Sequence, residues 1–208
     1  EQDYHMKPIS DCSILCRHLK SKYLNNPKHI LVVLVGGLSQ SGKSTLSEKM
    51  CNYLEDNKIE NRYICLDNWI VDISERTGRE TVRERFLYDD IFLSVTDILN
   101  GNDITIYVYN PASRGKSESL LSINSLEFGV LIIDGVVSLD IKELRHLSKF
   151  RVYVSTNHEE RLKRLIDFHV NYKNLSLKET SSIIKSRAID ETPIIEKTKK
   201  FANYLFVN

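Results

Sequence analysis

The stretch that most constrains this chain is residues 30–47, Ile-Leu-Val-Val-Leu-Val-Gly-Gly-Leu-Ser-Gln-Ser-Gly-Lys-Ser-Thr-Leu-Ser. Ile30 to Val35 is continuously apolar and rich in β-branched residues, which predicts a strand buried on both faces of a parallel sheet. Gly37, four further residues and Gly42-Lys43-Ser44 complete a phosphate-binding loop, or P-loop. Its glycines let the backbone curl until successive N–H groups point at phosphate oxygens. Ser39, Gln40, Ser41 and Thr45 belong to the same cradle. Lys43 is placed to reach the β- and γ-phosphates of ATP, and the Ser44 hydroxyl to ligate Mg²⁺. Leu46, Met50 and Leu54 recur at helical spacing, so strand, loop and helix follow in the order that phosphate binding at a helix N-terminus requires.

At 208 residues the chain is long enough for one α/β domain with a small insert. A net charge of +1 gives no case for nucleic acid or an anionic membrane as a partner. The longest apolar runs fall far short of the ~20 residues that cross a bilayer, and no secretory leader is read. The expected partner is a small-molecule substrate; an assembly of identical copies stays open. Of the four cysteines, Cys12 and Cys16 lie one helical turn apart with His18 near. A metal site there competes with the simpler reading of a reduced, cytoplasmic helix carrying two thiols.

In chain order, residues 1–9 read as irregular. Ser10 or Asp11 caps a packing helix that ends before Asn25-Asn26-Pro27. Arg62 to Leu66 reads as a strand that delivers Asp67 to the ligand crevice at the sheet's C-terminal edge. Asp72 to Arg85 is polar, with Arg76, Arg79, Arg83 and Arg85, and reads as an exposed loop or short helix. A helix begins at Asp89 or Asp90 and closes at Asn100-Gly101. Ile104, Ile106 and Val108 alternate with polar residues and enter a loop from Tyr109 through Arg114 to Lys116. Leu120 to Ile123 then returns as a hairpin.

Gly129 to Ile133 is a second fully apolar strand, and its terminal Asp134 has the position of an acid that holds the metal shell. Ser138 is read as the cap of a short helix through Leu144, and Arg151 to Val154 as a strand. Asn157 caps a helix to about His169, with Glu160 at the capping-box position and Arg161 and Arg164 one turn apart. Ser176 and Glu179 form a second capping box. Thr192-Pro193 interrupts that helix, and Ala202 to Val207 is the last strand. Alternating strands and helices predict a three-layer α/β/α sandwich around a mostly parallel five-stranded sheet.

With the P-loop, Asp67, the Tyr109 loop, Asp134-Gly135 and the Arg161–Arg164 helix in this order, the chain resembles the uridine kinase and phosphoribulokinase family of P-loop kinases. The resemblance covers roughly residues 30–207. The domain reading is an N-terminal packing helix over 1–28, from its own caps, followed by a kinase domain over 29–208, which the resemblance implies. Within that domain, an insert is expected at about 103–124 and a helical lid at about 161–187. It further implies ATP and Mg²⁺ as cofactors, with Lys43 on the phosphates and Ser44, Asp67 and Asp134 around the metal. Asp67 would be the base that takes the acceptor hydroxyl's proton. Arg161 and Arg164 begin the phosphate-covering segment, and Tyr109, Arg114 and Lys116 would contact the acceptor.

The chain departs from the family where nucleosides are read. Arg114 stands where a pyrimidine-contacting histidine is expected, and Leu87 near a ribose-contacting aspartate. Asp67 is followed by Asn68-Trp69-Ile70 rather than Ser-Phe-Tyr. The expectation is therefore a small-metabolite kinase with a sugar-like, anionic or nucleoside acceptor, uridine and cytidine among the alternatives. A nucleotide-dependent switch is the competing class. Its guanine-reading motif has only Asn57-Lys58-Ile59-Glu60 as a match, which is better read as a surface turn.

Overall fold

The structure is a computed structural model and describes residues 6–208. Its strands are β1 (Pro8–Ile9), β2 (Ile30–Gly36), β3 (Asn61–Cys65), β4 (Ile104–Asn110), β5 (Gly115–Ile123), β6 (Gly129–Asp134), β7 (Phe150–Ser155) and β8 (Tyr204–Val207). The α-helices are α1 (Cys12–Leu24), α2 (Lys43–Asp56), α3 (Tyr88–Leu99), α4 (Lys142–Leu147), α5 (His158–Asp167), α6 (Leu177–Asp190) and α7 (Thr192–Lys197).

Six strands form one sheet in the order β1-β8-β7-β2-β6-β3, with every described pairing parallel. The expected five strands are all present. The sixth is β1, which pairs Pro8 and Ile9 with Leu205 and Phe206 inside the segment read as irregular. Two residues carry no periodicity, so nothing local marks them as a strand.

Apolar side chains alternate between the two faces of the sheet. Leu31, Val33, Val35, Val130, Ile132, Val152 and Val154 pack against α1 and α2. Val32, Leu34, Ile64, Leu131 and Ile133 pack on the other face against α3 and the residues around α4. Because both faces are covered, the central strands read as unbroken apolar runs. The insert is a separate antiparallel hairpin of β4 and β5, whose Ile104 and Ile123 join the second core layer.

Several local readings are corrected. The hairpin turn is shorter than expected, and Lys116 already lies in β5. Ser138 does not cap a helix. Its Oγ donates to the Val35 carbonyl at 2.8 Å, and α4 starts only after Ile141. Asn157 does cap α5, but Glu160 accepts from Arg164 instead of closing a capping box. That helix ends at Asp167 and widens into a π-turn over Phe168–Tyr172. The Thr192-Pro193 break is brief, because Pro sits in the first turn of α7, where its missing N–H costs nothing. The loop read as uniformly exposed hides Arg85, which is buried.

Asp11 caps α1 by accepting from Ser13 N at 2.8 Å. The Sγ atoms of Cys12 and Cys16 approach to 3.7 Å, and all four cysteines are free. His18 meets the Tyr204 ring at a tilt, 5.6 Å between centroids, instead of joining them. No group of three or more His, Cys, Asp or Glu side chains is arranged for a metal among the described residues. No described helix is long and apolar enough to cross a membrane.

Candidate active site

The sheet's C-terminal edge brings the chemistry together. β6 lies between β2 and β3, with Asp134 in register with Val35 on one side and Cys65 on the other. Asp134 therefore ends beside the start of the P-loop. Asp67, two residues past Cys65 in the 3₁₀ turn Leu66–Trp69, ends beside them both. This crevice beyond the carboxyl ends of parallel strands is where open α/β sheets bind ligands.

The P-loop has the backbone its sequence demands. Gly37 and Gly42 take φ of 135° and 98°, and Gln40 is left-handed at 59°. A side chain at Gly37 would collide with the Val154 carbonyl, and one at Gly42 with Asn208. No side chain caps the start of α2, so its first amides face the crevice free of side-chain caps. Lys43 Nζ donates to the Leu38 carbonyl at 2.8 Å, folded back over its own loop. The Ser41 hydroxyl is buried without a partner among the described residues. Asn208 Nδ2 donates to the Ser41 carbonyl at 3.2 Å, walling the loop from outside.

A cavity of about 630 Å³ opens over this cradle. Ser39, Gln40, Gly42, Lys43, Ser44, Thr45, Asp67, Asp134, Tyr109, Arg114 and Arg161 all line it. Gly37 and Ser41 shape the loop behind it. Arg164 is held by Glu160 at 3.2 Å and does not line the cavity. Lys116 is exposed, lies 6.0 Å over the Tyr107 ring and faces away from it.

The electrostatics follow from crowding charges at the bottom of a cleft. Burial lowers the Lys43 pKa, opposed by Asp134, Asp67 and Glu191. Burial raises that of Asp134, opposed by Lys43 and by the Tyr63 hydroxyl, which donates to Oδ2 at 2.8 Å. Asp67 opens to the cavity yet has protein on all sides. The surrounding protein raises its pKa, with Asp134 and Glu191 adding to the effect and Lys43 and Lys173 opposing it. Such perturbed groups in one cleft are the mark of a working site. Two carboxylates with the Ser44 hydroxyl also fit Mg²⁺, which usually takes one or two protein carboxylates and completes its shell with phosphates and water.

Residues missed in the sequence complete the site. Glu191, at the α6–α7 junction, is buried. It accepts from Arg85 at 2.9 Å, from Arg187 at 3.4 Å and from the Ser39 hydroxyl at 3.3 Å. Burial raises its pKa against the pull of Arg85 and Lys43. Arg161 donates to the Ser39 carbonyl at 3.3 Å. One P-loop residue is thus held from α5 and from the end of α6. His169 and Lys173, around the π-turn, also line the cavity. Leu87 packs against the core and does not reach the cavity. Asn57-Lys58 forms the turn after α2, where Asn57 accepts from Lys20 at 2.7 Å, well outside the site.

Fold and site together define a P-loop kinase, with a phosphate cradle, paired acids and helices folded over the crevice. A uridine kinase of Mycoplasma genitalium is 30% identical over 146 residues, covering 67% of this chain and 67% of that one. The chain belongs to the uridine kinase family. Uridine-cytidine kinase B of Dictyostelium discoideum is 26% identical over 157 residues, covering 72% of this chain, which spans 63% of that relative's length. No family model matches the chain. Among solved structures, a kinase assigned to a fructose transport system of Silicibacter sp. TM1040 superposes with a TM-score of 0.77 at 14% identity, covering 96% of this chain and 100% of that one. D-glycerate 3-kinase of Cryptococcus neoformans superposes with a TM-score of 0.66 at 10% identity, covering 90% of this chain and 89% of that one. At these identities the superpositions speak for the fold.

Proposed function

We propose that this protein transfers the γ-phosphoryl group of ATP to an alcohol of a small metabolite, with Asp67 as the base. The observation that carries the reading is the convergence of Lys43, Asp134 and Asp67 on one cavity at the ends of three adjacent strands. ATP supplies the phosphoryl group when bound, and Mg²⁺ neutralises charge that develops on it.

The chain's own residues supply position and field. The amides of residues 37–44 and the Lys43 ammonium hold the phosphates. Ser44 and Asp134, with Asp67 lining the same cavity, would hold the metal. Asp67, held in a turn and not at the tip of a flexible loop, accepts the acceptor hydroxyl's proton. Its raised pKa makes it a stronger base than an ordinary aspartate. Arg161 and Arg187 are the lid arginines nearest the cavity and take the role of neutralising the transferring group. The hairpin acts as an acceptor-side insert, and α5 with α6 as the lid. Four free cysteines suit a reducing cytoplasmic setting, where ATP is plentiful.

The test is ADP release against a library of small alcohols, with Lys43→Ala as control. Acceptor-dependent turnover that vanishes in the control supports the reading; hydrolysis indifferent to any acceptor refutes it.

A further inference from the structure

Beside Asp67, away from the P-loop, lies a second polar cluster that phosphoryl transfer from ATP does not use. Arg76 comes from the loop after β3, Arg114 from the hairpin turn, and His169 and Lys173 from around the π-turn. All four line the cavity. The carboxylates acting on Lys43 are Asp134, Asp67 and Glu191, whereas the charges acting on Lys173 are Arg114, Arg76 and Asp67. Asp67, which lines the same cavity, acts on both Lys43 and Lys173.

The cluster is built in advance. Arg76 Nε donates to the Val71 carbonyl at 2.8 Å and Nη2 to the Tyr109 hydroxyl at 3.2 Å, which fixes its guanidinium. The Arg114 carbonyl accepts from Ile73 N at 2.9 Å, while its backbone is left-handed with φ of 58°. An arginine held in that conformation stores strain, which concentrates at ligand sites. Lys173 sits 5.0 Å over the Phe168 ring. None of the three cations forms an ion pair with a carboxylate among the described residues. His169 is more than nine-tenths buried, and its Nδ1 has no partner among the described residues. Burial, Lys173 and Arg114 hold its pKa down to about 4, so the ring is neutral at physiological pH. Burial and the two arginines hold Lys173 down to about 8, against the pull of Asp67.

Resting on the kinase reading above, we infer that the acceptor alcohol carries an anionic group of its own, phosphate or carboxylate, seated on Arg76, Arg114, Lys173 and His169 Nδ1. Asp67 and Asp72 act on these cations from a distance, but no carboxylate meets them in an ion pair among the described residues. Converging cations so placed are costly in a cleft, and an incoming anion offsets that cost. A guanidinium fork matches phosphate or carboxylate oxygens, and it has no acceptor atom to offer a pyrimidine N–H.

The experiment has two parts. ADP release is measured with matched neutral, carboxylated and phosphorylated polyols and with uridine, for wild type, Arg114→Gln and Lys173→Gln. Separately, inorganic phosphate is titrated into protein saturated with Mg²⁺ and a non-hydrolysable ATP analogue. The signal is fluorescence of Trp69, the single tryptophan, buried in the turn that carries Asp67. Thermal melts confirm that the variants fold, and Lys173→Gln spares the strained Arg114 backbone. The inference requires an anionic acceptor to exceed its neutral partner in kcat/KM by about tenfold or more. It also requires each variant to raise that acceptor's KM by a similar factor while the KM for ATP stays within about twofold. Preference for phosphate esters over hydroxy acids, or the reverse, identifies the group. Saturable phosphate binding that the variants weaken, in a protein that phosphorylates nothing, keeps the anion site and refutes the kinase reading alone. No saturable phosphate binding, or efficient uridine turnover with a KM that neither variant moves, overturns the inference.

Discussion

The two ends of the cavity are built differently. The phosphate end rests on β2, β3 and β6, with parallel pairings on both sides of Asp134 and apolar layers above and below. The sheet register delivers Asp134 and the start of the P-loop side by side, and Arg161, Glu191 and Asn208 then brace the loop from outside. The acceptor end is assembled from an irregular loop, a hairpin turn and a π-turn, joined by single hydrogen bonds such as Ile73 N to the Arg114 carbonyl and Tyr109 N to Asn68 Oδ1. The contrast teaches that a family can keep its phosphoryl-transfer chemistry on the rigid frame while changing its substrate on segments that carry little of the fold.

The largest expected effect strikes the rigid end. Lys43→Ala should lower turnover by ~10³-fold or more and weaken ATP binding, while the melting temperature holds, because the residue faces ligand. Wild-type-like turnover would remove the P-loop from the mechanism and collapse the comparison.

Next comes the tie between the lid helices and the loop after β3. Arg85→Met leaves Glu191 buried with only Arg187 and Ser39 as partners. Losing one side of a buried pair costs about 3 kcal/mol, here near the low end because Arg187 remains. In a domain of this size that is a fall of roughly 6–12 °C in melting temperature. An unchanged melt means the lid is not held by this pair.

Asp67→Asn should cut turnover by ~10²-fold with ATP affinity nearly intact. The sign of the stability change sharpens the test. Asp67 is exposed to the cavity, but the protein packed around it raises its pKa, so the folded state binds its proton more tightly than the unfolded chain does. The ionised group therefore destabilises the fold at neutral pH, and the penalty fades as pH falls through the raised pKa. The neutral amide should melt at or above wild type. The same shift moves the acid limb of the wild-type kcat/KM profile above the ordinary aspartate range. A variant both less stable and fully active makes Asp67 a turn residue.

The smallest effect is expected outside the cavity lining. Arg83 binds Asp140 through two hydrogen bonds of 2.7 and 2.9 Å, but its side chain is 58% exposed. Arg83→Ala should cost at most about 1 kcal/mol in chemical denaturation and leave turnover unchanged.

What the sequence made legible follows the same division. The two apolar runs ending in Gly36 and Asp134 announce their own strands, and Asn157 and Ser176 announce helix starts, because each signal is local. Asp67 was readable from its place after a strand. Glu191 was not, because it lies in an ordinary helix junction and gains meaning only from Arg85 and Ser39, the latter 152 residues away. His169 and Lys173 fell inside the expected lid without a role of their own, since a π-turn shifts which side chains face inward and leaves no periodic trace. Lys116 was placed near the acceptor by proximity to Arg114, but strand alternation turns it outward.

The contact between Asn208 and the Ser41 carbonyl spans 167 residues. Asn208 follows β8, whose neighbours in the sheet are β7 and the two-residue β1. The outer wall of the phosphate cradle thus follows a strand whose pairing with β1, Pro8 with Leu205, is the most sequence-distant among the described residues, and such pairings are slow to form because loop closure precedes any reward. During synthesis the P-loop emerges long before its wall, so a growing chain displays the motif without the grip. Nucleotide added during refolding then stabilises the finished state by mass action, and its effect should appear on the unfolding rate, leaving the early folding phase untouched in stopped-flow fluorescence.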